Sequence, residues 1–214
     1  NLILIFNELV VSDKKLKLDF KNKDVNVSDF AKKTMGQIVF LYFLQKKGWF
    51  GVAPGERWGT GVKNFLREIF ERRKKYGENF FDDVLKPLFY EALAEDRGNE
   101  STYTKLNNCR IPFLNGGLFE PMNGYSWRLT NILLPDELFS NNTKTKEGDE
   151  GDGIFDIFDR YNFTVNESEP LDQEVAVDPE MLGKVFEKLQ SEKEKRKYGS
   201  HYTPPLVVYY MCQE

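Results

Sequence analysis

The residue pattern with the most specific chemistry lies near the end of the sequence, in Gly199-Ser-His-Tyr-Thr-Pro-Pro205. Thr203 suits a helix N-cap, where its hydroxyl accepts a bond from an otherwise unpaired amide. Pro204 and Pro205 then fall in the first turn, whose amides have no intrahelical partner to lose. Leu206, Val207, Tyr210 and Met211 recur at helical spacing and form one apolar stripe. A loop feeding such a helix end collects free amide donors at the positive end of the helix dipole, which is a seat for a carboxylate or phosphate. An ordinary capped helix satisfies the same pattern and is the reading that these residues alone favour.

Other candidate groups have simpler explanations. Lys193, Lys195, Arg196 and Lys197 precede the Thr-Pro-Pro loop and suit either phosphate contact or solvent. Arg72-Arg-Lys-Lys75 reads as a solvated helix end complementing the dipole. Asp13-Lys-Lys15 and Asp19-Phe-Lys21 have the Asp-x-Lys end of a nuclease metal site but lack the second acidic residue that holds magnesium. Gly59-Thr-Gly61 and Asn115-Gly-Gly117 lack the glycine spacing of a phosphate loop and read as turns. Asp178-Pro179-Glu180 reads as a helix start, with a cap, a proline at the first position and an acid in the first turn. Cys109 and Cys212 with the single histidine, His201, are too few for a disulfide framework or a zinc site, so no metal is expected.

Gly-x-x-Tyr-Thr-Pro-Pro before an apolar helix resembles the cofactor-contacting motif that precedes the first core strand in adenine-modifying, amino-group DNA methyltransferases. Residues Phe163 to Glu187 are similar to the segment just before that motif in large restriction-modification proteins of the type IIG kind. Phe40-Leu-Tyr-Phe-Leu-Gln-Lys-Lys-Gly-Trp49 and Phe113-Leu-Asn-Gly-Gly-Leu-Phe-Glu120 resemble two further stretches of the same family. The likeness samples the chain from residue 30 onward. It implies a parent that uses S-adenosylmethionine, touched through His201, Tyr202, Thr203 and Pro204, with duplex DNA as substrate and a nuclease domain upstream. The sequence departs from the family at its catalytic centre. Adenine methylation uses a motif such as Asn-Pro-Pro-Tyr to hold a flipped base, and the one Pro-Pro here follows Thr203 and precedes Leu206. A glycine-rich cofactor loop is also missing, so this span is expected to be inactive alone and to hold no catalytic residue. A helical interaction module unrelated to methylation is the alternative.

The elements that must position these residues read as mainly α: a helical connector bundle with a small β-hairpin and irregular loops rich in glycine and aromatic residues. Over 214 residues, hydrophobic residues make up 40% and Phe numbers 18, which excludes a disordered chain and permits a sizeable core. The net charge of −4 argues against a strong nucleic-acid clamp, so any DNA contact must be local. No apolar run approaches a membrane span, and no signal peptide is visible, which points to the cytoplasm.

The spacing predicts a helix from Ser28 to Lys47, ended by Gly48 and buried nearly all round. A second is predicted from a Thr60 cap to Lys75, with Arg67 paired to Glu71, and a third over Glu78 to Asp96, broken or kinked at Pro87. Phe40, Phe43, Leu44, Phe65, Leu66 and Ile69 are expected in one core. The hairpin is placed at Phe163 to Val165 and Glu174 to Val177. Residues 1–140 form the expected connector domain, 141–153 a mobile loop without aliphatic or aromatic residues, 154–198 a linking segment, and 199–214 the start of a methyltransferase domain.

Overall fold

The computed structural model describes residues 6, 8, 10, 12–98, 102–114, 118–122, 125–144, 148 and 150–160. Helix α1 (Lys14–Asn22) starts where the Asp13 carboxylate accepts the amides of Lys15 and Leu16, and it buries Leu16 and Phe20, one turn apart. Both Asp-x-Lys stretches are thereby accounted for, since Asp19 pairs with Lys23 at 2.8 Å. Helix α2 (Val27–Lys46) is capped by Asn26 rather than Ser28, through a bond to the Asp29 amide, and stops as Gly48 takes a φ of 66°. Phe30, Ala31, Ile38, Leu41 and Tyr42 are among its buried residues. Phe40 departs from expectation. It is 39% exposed on the one strip that the neighbouring elements leave open, while Phe43 is only half-buried.

The second predicted helix is shorter at its start. Thr60 does not cap it; its hydroxyl bonds the Arg57 carbonyl, and the amides of Gly59 and Gly61 both reach the Gly48 carbonyl. These bonds hold residues 59–62 against residues 48–50, so α3 (Phe65–Glu71) begins only after them. The crossing needs glycine. A Cβ at Gly61 would lie 2.1 Å from the Phe50 carbonyl oxygen, and one at Gly48 would lie 2.3 Å from that of Gly59. The Asn64 side chain makes no capping bond to α3; Gln45 of α2 does, accepting the Leu66 amide at 3.0 Å inside the core. A 3₁₀ turn follows at Arg73–Lys75.

The third predicted helix is a pair of π-helical segments, Phe80–Leu85 and Leu88–Ala92, meeting at Pro87, with Asn79 capping the first. Lys86 and Pro87 keep right-handed helical dihedrals, so the backbone passes through Pro87 without the expected break, in wider turns on either side. A small antiparallel sheet does occur, but outside the predicted stretches. β1 (Thr102–Tyr103) pairs with β2 (Cys109–Arg110), in the register Thr102 to Arg110 and Tyr103 to Cys109, with Asn107 and Asn108 at positive φ in the turn. The predicted hairpin at 163–177 lies outside the described residues. A 3₁₀ turn at Asp136–Leu138 and helix α4 (Ile154–Arg160) come last among the described elements.

Residues 141–153 are tied at their base. The Asn141 side chain bonds Asp152 and the Glu137 carbonyl, and Lys144 bridges to Glu150. Beyond them the chain re-enters the core through Ile154 and Phe155. There Phe80 meets Phe70, Phe139 and Phe155 edge-on, with centroids 4.9, 5.1 and 5.7 Å away. Each such pair adds about 0.5–1.5 kcal/mol beyond area burial.

Phe80→Ala is expected to lower unfolding free energy by about 3–5 kcal/mol, because the cavity opens among rings held by three other segments. Phe40→Ala, at a partly exposed ring, should cost less than about 1.5 kcal/mol. Chemical denaturation of both variants checks the contrast; equal losses would mean that Phe80 is not the hub.

Candidate functional site

The most highly connected polar group in the described fold stands where the chain leaves for residues 161–214. On α4, Asp156 and Asp159 are three residues apart, so both carboxylates share one helix face. Arg67 of α3 meets both, with Nη2 2.9 Å from Asp156 Oδ1 and Nε 2.7 Å from Asp159 Oδ2, while its Nη1 donates to Ser140 Oγ at 2.8 Å. This replaces the expected pairing with Glu71. Ser140 Oγ in turn donates to Asp156, the amides of Asn141 and Gly153 donate to its other oxygen, and the Tyr42 hydroxyl of α2 donates to Asp159 at 2.9 Å. Tyr42 of α2, Arg67 of α3, Ser140 with Asn141, and α4 are thus joined in one hydrogen-bonded network.

Electrostatics fix the protonation states. Burial by itself would raise the Asp156 pKa, but hydrogen bonds from Ser140, the Asn141 amide and Arg67, with the Arg67 charge, hold it below the usual carboxylate range. Burial also opposes the charge on Arg67, yet the two aspartates outweigh it and raise its pKa. Burial foremost, and then the charge and hydrogen bond of Asp159, push the Tyr42 phenol well above its ordinary value. The group is therefore an ion-paired clamp between α3 and α4, and its chemistry is positioning.

A concavity of about 250 Å³ lies between the 3₁₀ turn, the first π-helix and the sheet, with Lys75, Tyr76, Asp83, Tyr103 and Lys105 on its walls. Its cations are engaged, Lys75 with Asn107 and Lys105 with Glu91. Arg73 of the Arg72 to Lys75 cluster is likewise not simply solvated, since it pairs with Asp136 and lies over the Phe70 ring at 4.2 Å. Burial pushes the Cys109 thiol up to about 11, so it is protonated at neutral pH. Among the described residues no three His, Cys, Asp or Glu side chains are grouped to hold a metal, and no helix is long and apolar enough to cross a membrane.

The residues singled out by the Thr-Pro-Pro motif, His201, Tyr202, Thr203 and Pro204, lie outside the described residues, as do Lys193, Lys195, Arg196 and Lys197. Asn115-Gly-Gly117 and Asp178-Pro179-Glu180 do also. Gly59-Thr-Gly61 is the turn it was expected to be, with Gly59 at a φ of 100°. Sequence reading missed the Arg67 clamp. Its visible signal was the spacing of Asp156 and Asp159, but the partner lies 89 and 92 residues away.

No known family profile matches the chain, and no solved structure matches it. A curated protein of Methanocaldococcus jannaschii named "Putative type II restriction enzyme and methyltransferase" is 32% identical over 197 residues. That similarity takes in 89% of this chain and 15% of the relative, so the chain corresponds to a small part of that protein's length. The chain is thus related to a protein of the restriction-modification kind.

Removing the Arg67 charge leaves two carboxylates repelling in a confined space. Arg67→Met should cost about 3 kcal/mol at neutral pH. Asp156 has a depressed folded pKa, so its contribution is present above the ordinary value of 3.8 and is lost as pH falls through the folded pKa. The penalty of the variant should therefore shrink below about pH 4. Unfolding free energies of both proteins at neutral and acid pH test this, and an undiminished penalty at acid pH would exclude the charged clamp.

Proposed function

We propose that this chain is a connecting segment of a restriction-modification protein of the type IIG kind, one that transfers a methyl group from S-adenosylmethionine to the amino group of adenine in duplex DNA. The similarity to the archaeal relative carries this reading. It is longer than the described fold, so it runs from the helical core into the stretch that leads toward Tyr202. The motif at Tyr202-Thr203-Pro204-Pro205 supplies the chemical detail that the relative's name leaves open.

In this reading the described core is a seat. Rings from distant segments lock its interior, and the Arg67 clamp holds α4 at the point of departure toward the motif. Thr203, with His201, Tyr202 and Pro204, contacts the cofactor, and the following helix end favours its carboxylate. Lys193, Lys195, Arg196 and Lys197 then lie beside the substrate and meet DNA phosphates. The pocket that takes a flipped adenine belongs to another part of the parent, and a nuclease domain lies upstream.

The test uses the full-length parent. Incubation with methyl-labelled cofactor and duplex DNA of mixed sequence should label adenine at its amino group on nucleoside analysis; label on cytosine, or none, would overturn the reading. Thr203→Ala removes one bond to a charged group, worth about 1.5–3 kcal/mol, and should weaken cofactor binding roughly ten- to a hundredfold with little change in melting temperature. Unchanged affinity with a lowered melting temperature would reduce Thr203 to a helix cap.

A further inference from the structure

Each residue of the loop Ala53 to Thr60 is exposed, yet the loop is built on a hydrogen-bonded base. The Gly59 and Gly61 amides bond the Gly48 carbonyl at its foot, Val62 bonds Phe50, and the Arg110 amide bonds the Val52 carbonyl. Within the loop the Glu56 amide reaches Ala53, and the Thr60 hydroxyl reaches the Arg57 carbonyl. At its tip the Arg110 guanidinium lies over the Trp58 ring, 4.2 Å from the centroid, while Arg110 Nη1 donates to the Glu56 carbonyl at 2.5 Å. Trp58 remains 39% exposed in this stack.

Charge is segregated here against the trend of the molecule. Between Lys47 and Asn64 the cations Lys47, Arg57 and Lys63 face a single acid, Glu56, and Arg110 adds to them from β2. The chain as a whole is acidic, at −4. An exposed tryptophan stacked on arginine stabilises the fold little, since a cation–π pair at an exposed site contributes only about 0.5–1 kcal/mol. What the stack achieves is order. A guanidinium held flat by a ring and hooked by a carbonyl loses less freedom when it meets a phosphate than a free side chain would.

We infer that the Ala53–Thr60 loop, with Arg57, Trp58 and Arg110, is a contact for the phosphate backbone of duplex DNA. The inference rests on the DNA-modifying role proposed above and assigns it a surface remote in sequence from the cofactor motif. Phosphate contacts of this type position a protein without reading sequence, so the contact is insensitive to base composition.

The test titrates the whole chain into a labelled mixed-sequence duplex, read by anisotropy from about 50 to about 250 mM salt. Wild type should weaken steeply with salt. Arg57→Gln, at an exposed side chain, should lower the slope of log affinity against log salt by about 1, and Arg57→Gln with Arg110→Gln by about 2, with at least a tenfold loss near 100 mM. Trp58→Ala keeps every charge, so it should weaken binding several-fold with little change of slope. Lys14→Gln on α1 removes a cation elsewhere and should leave binding unchanged.

Absence of binding at the lowest salt, or loop variants with wild-type melting temperatures that bind as tightly as wild type, would overturn the inference. So would a Lys14→Gln loss equal to that of Arg57→Gln, which would mean diffuse attraction. The single Arg57→Gln variant decides the matter if the double variant fails to fold. The methylation assay is read separately. A parent that labels adenine while its loop variants bind DNA normally refutes the loop alone, and a parent that labels nothing refutes the functional reading while the titration still decides the loop.

Discussion

A helix buried on most of its faces must be enclosed on most of its faces, and α2 imposes that demand on everything else. Its twenty residues, Val27–Lys46, hold Thr34, Gln37 and Gln45 as well as apolar side chains in the interior. Buried amides are costly unless bonded. Gln45 answers by capping α3 at Leu66, and Gln37 donates to the Leu118 carbonyl of an irregular segment 81 residues away. The polar groups on this helix therefore fix which neighbours stand where, while the apolar ones supply the driving force.

Around that axis the enclosing shell is only partly regular. The segment from Tyr125 to Phe139 has little secondary structure, so its backbone groups need partners elsewhere. The π-helical segment supplies them through a buried pair. Lys86 lies 2.6 Å from Asp82, Asp82 accepts the Ile132 amide at 3.1 Å, and Asn79 donates to the Leu134 carbonyl. Burying such a pair brings a desolvation penalty comparable to its attraction, so its contribution is to registry more than to net stability. Aromatic rings, with centroids about 5–6 Å apart, fill the space that irregular backbone leaves.

This construction suits a part that holds other parts. The Arg67 clamp and the Phe139–Phe155 contact anchor α4, and the Gly48, Gly59 and Gly61 crossing fixes the exposed tryptophan loop. The tryptophan loop lies within the stretch between α2 and α3, and Arg67 stands on the first turn of α3 just beyond it. In the proposed DNA-modifying parent, that stretch would couple a backbone contact to the segment carrying the cofactor motif.

Local patterns made α2 legible in the sequence, because a long apolar stretch with Asp29 near its start, Lys46 near its end and Gly48 beyond determines a helix within its own span. The turn at Gly59 was legible for the same reason, since it follows from one residue's backbone chemistry. The candidate cofactor residues at 201–204 could be read only through a motif. What the sequence did not contain locally was decided by contacts across the chain. Thr60 fails as a cap because backbone amides beside it are drawn to Gly48. A short hairpin that no local pattern announced forms at 102–110, where Arg110 can also bond Val52. Phe40 looks as apolar as its neighbours but lies on the open strip of α2, and Arg67 finds aspartates from α4 rather than its own helix. Periodicity gives a residue's face, but which element covers that face is settled only when the helices pack.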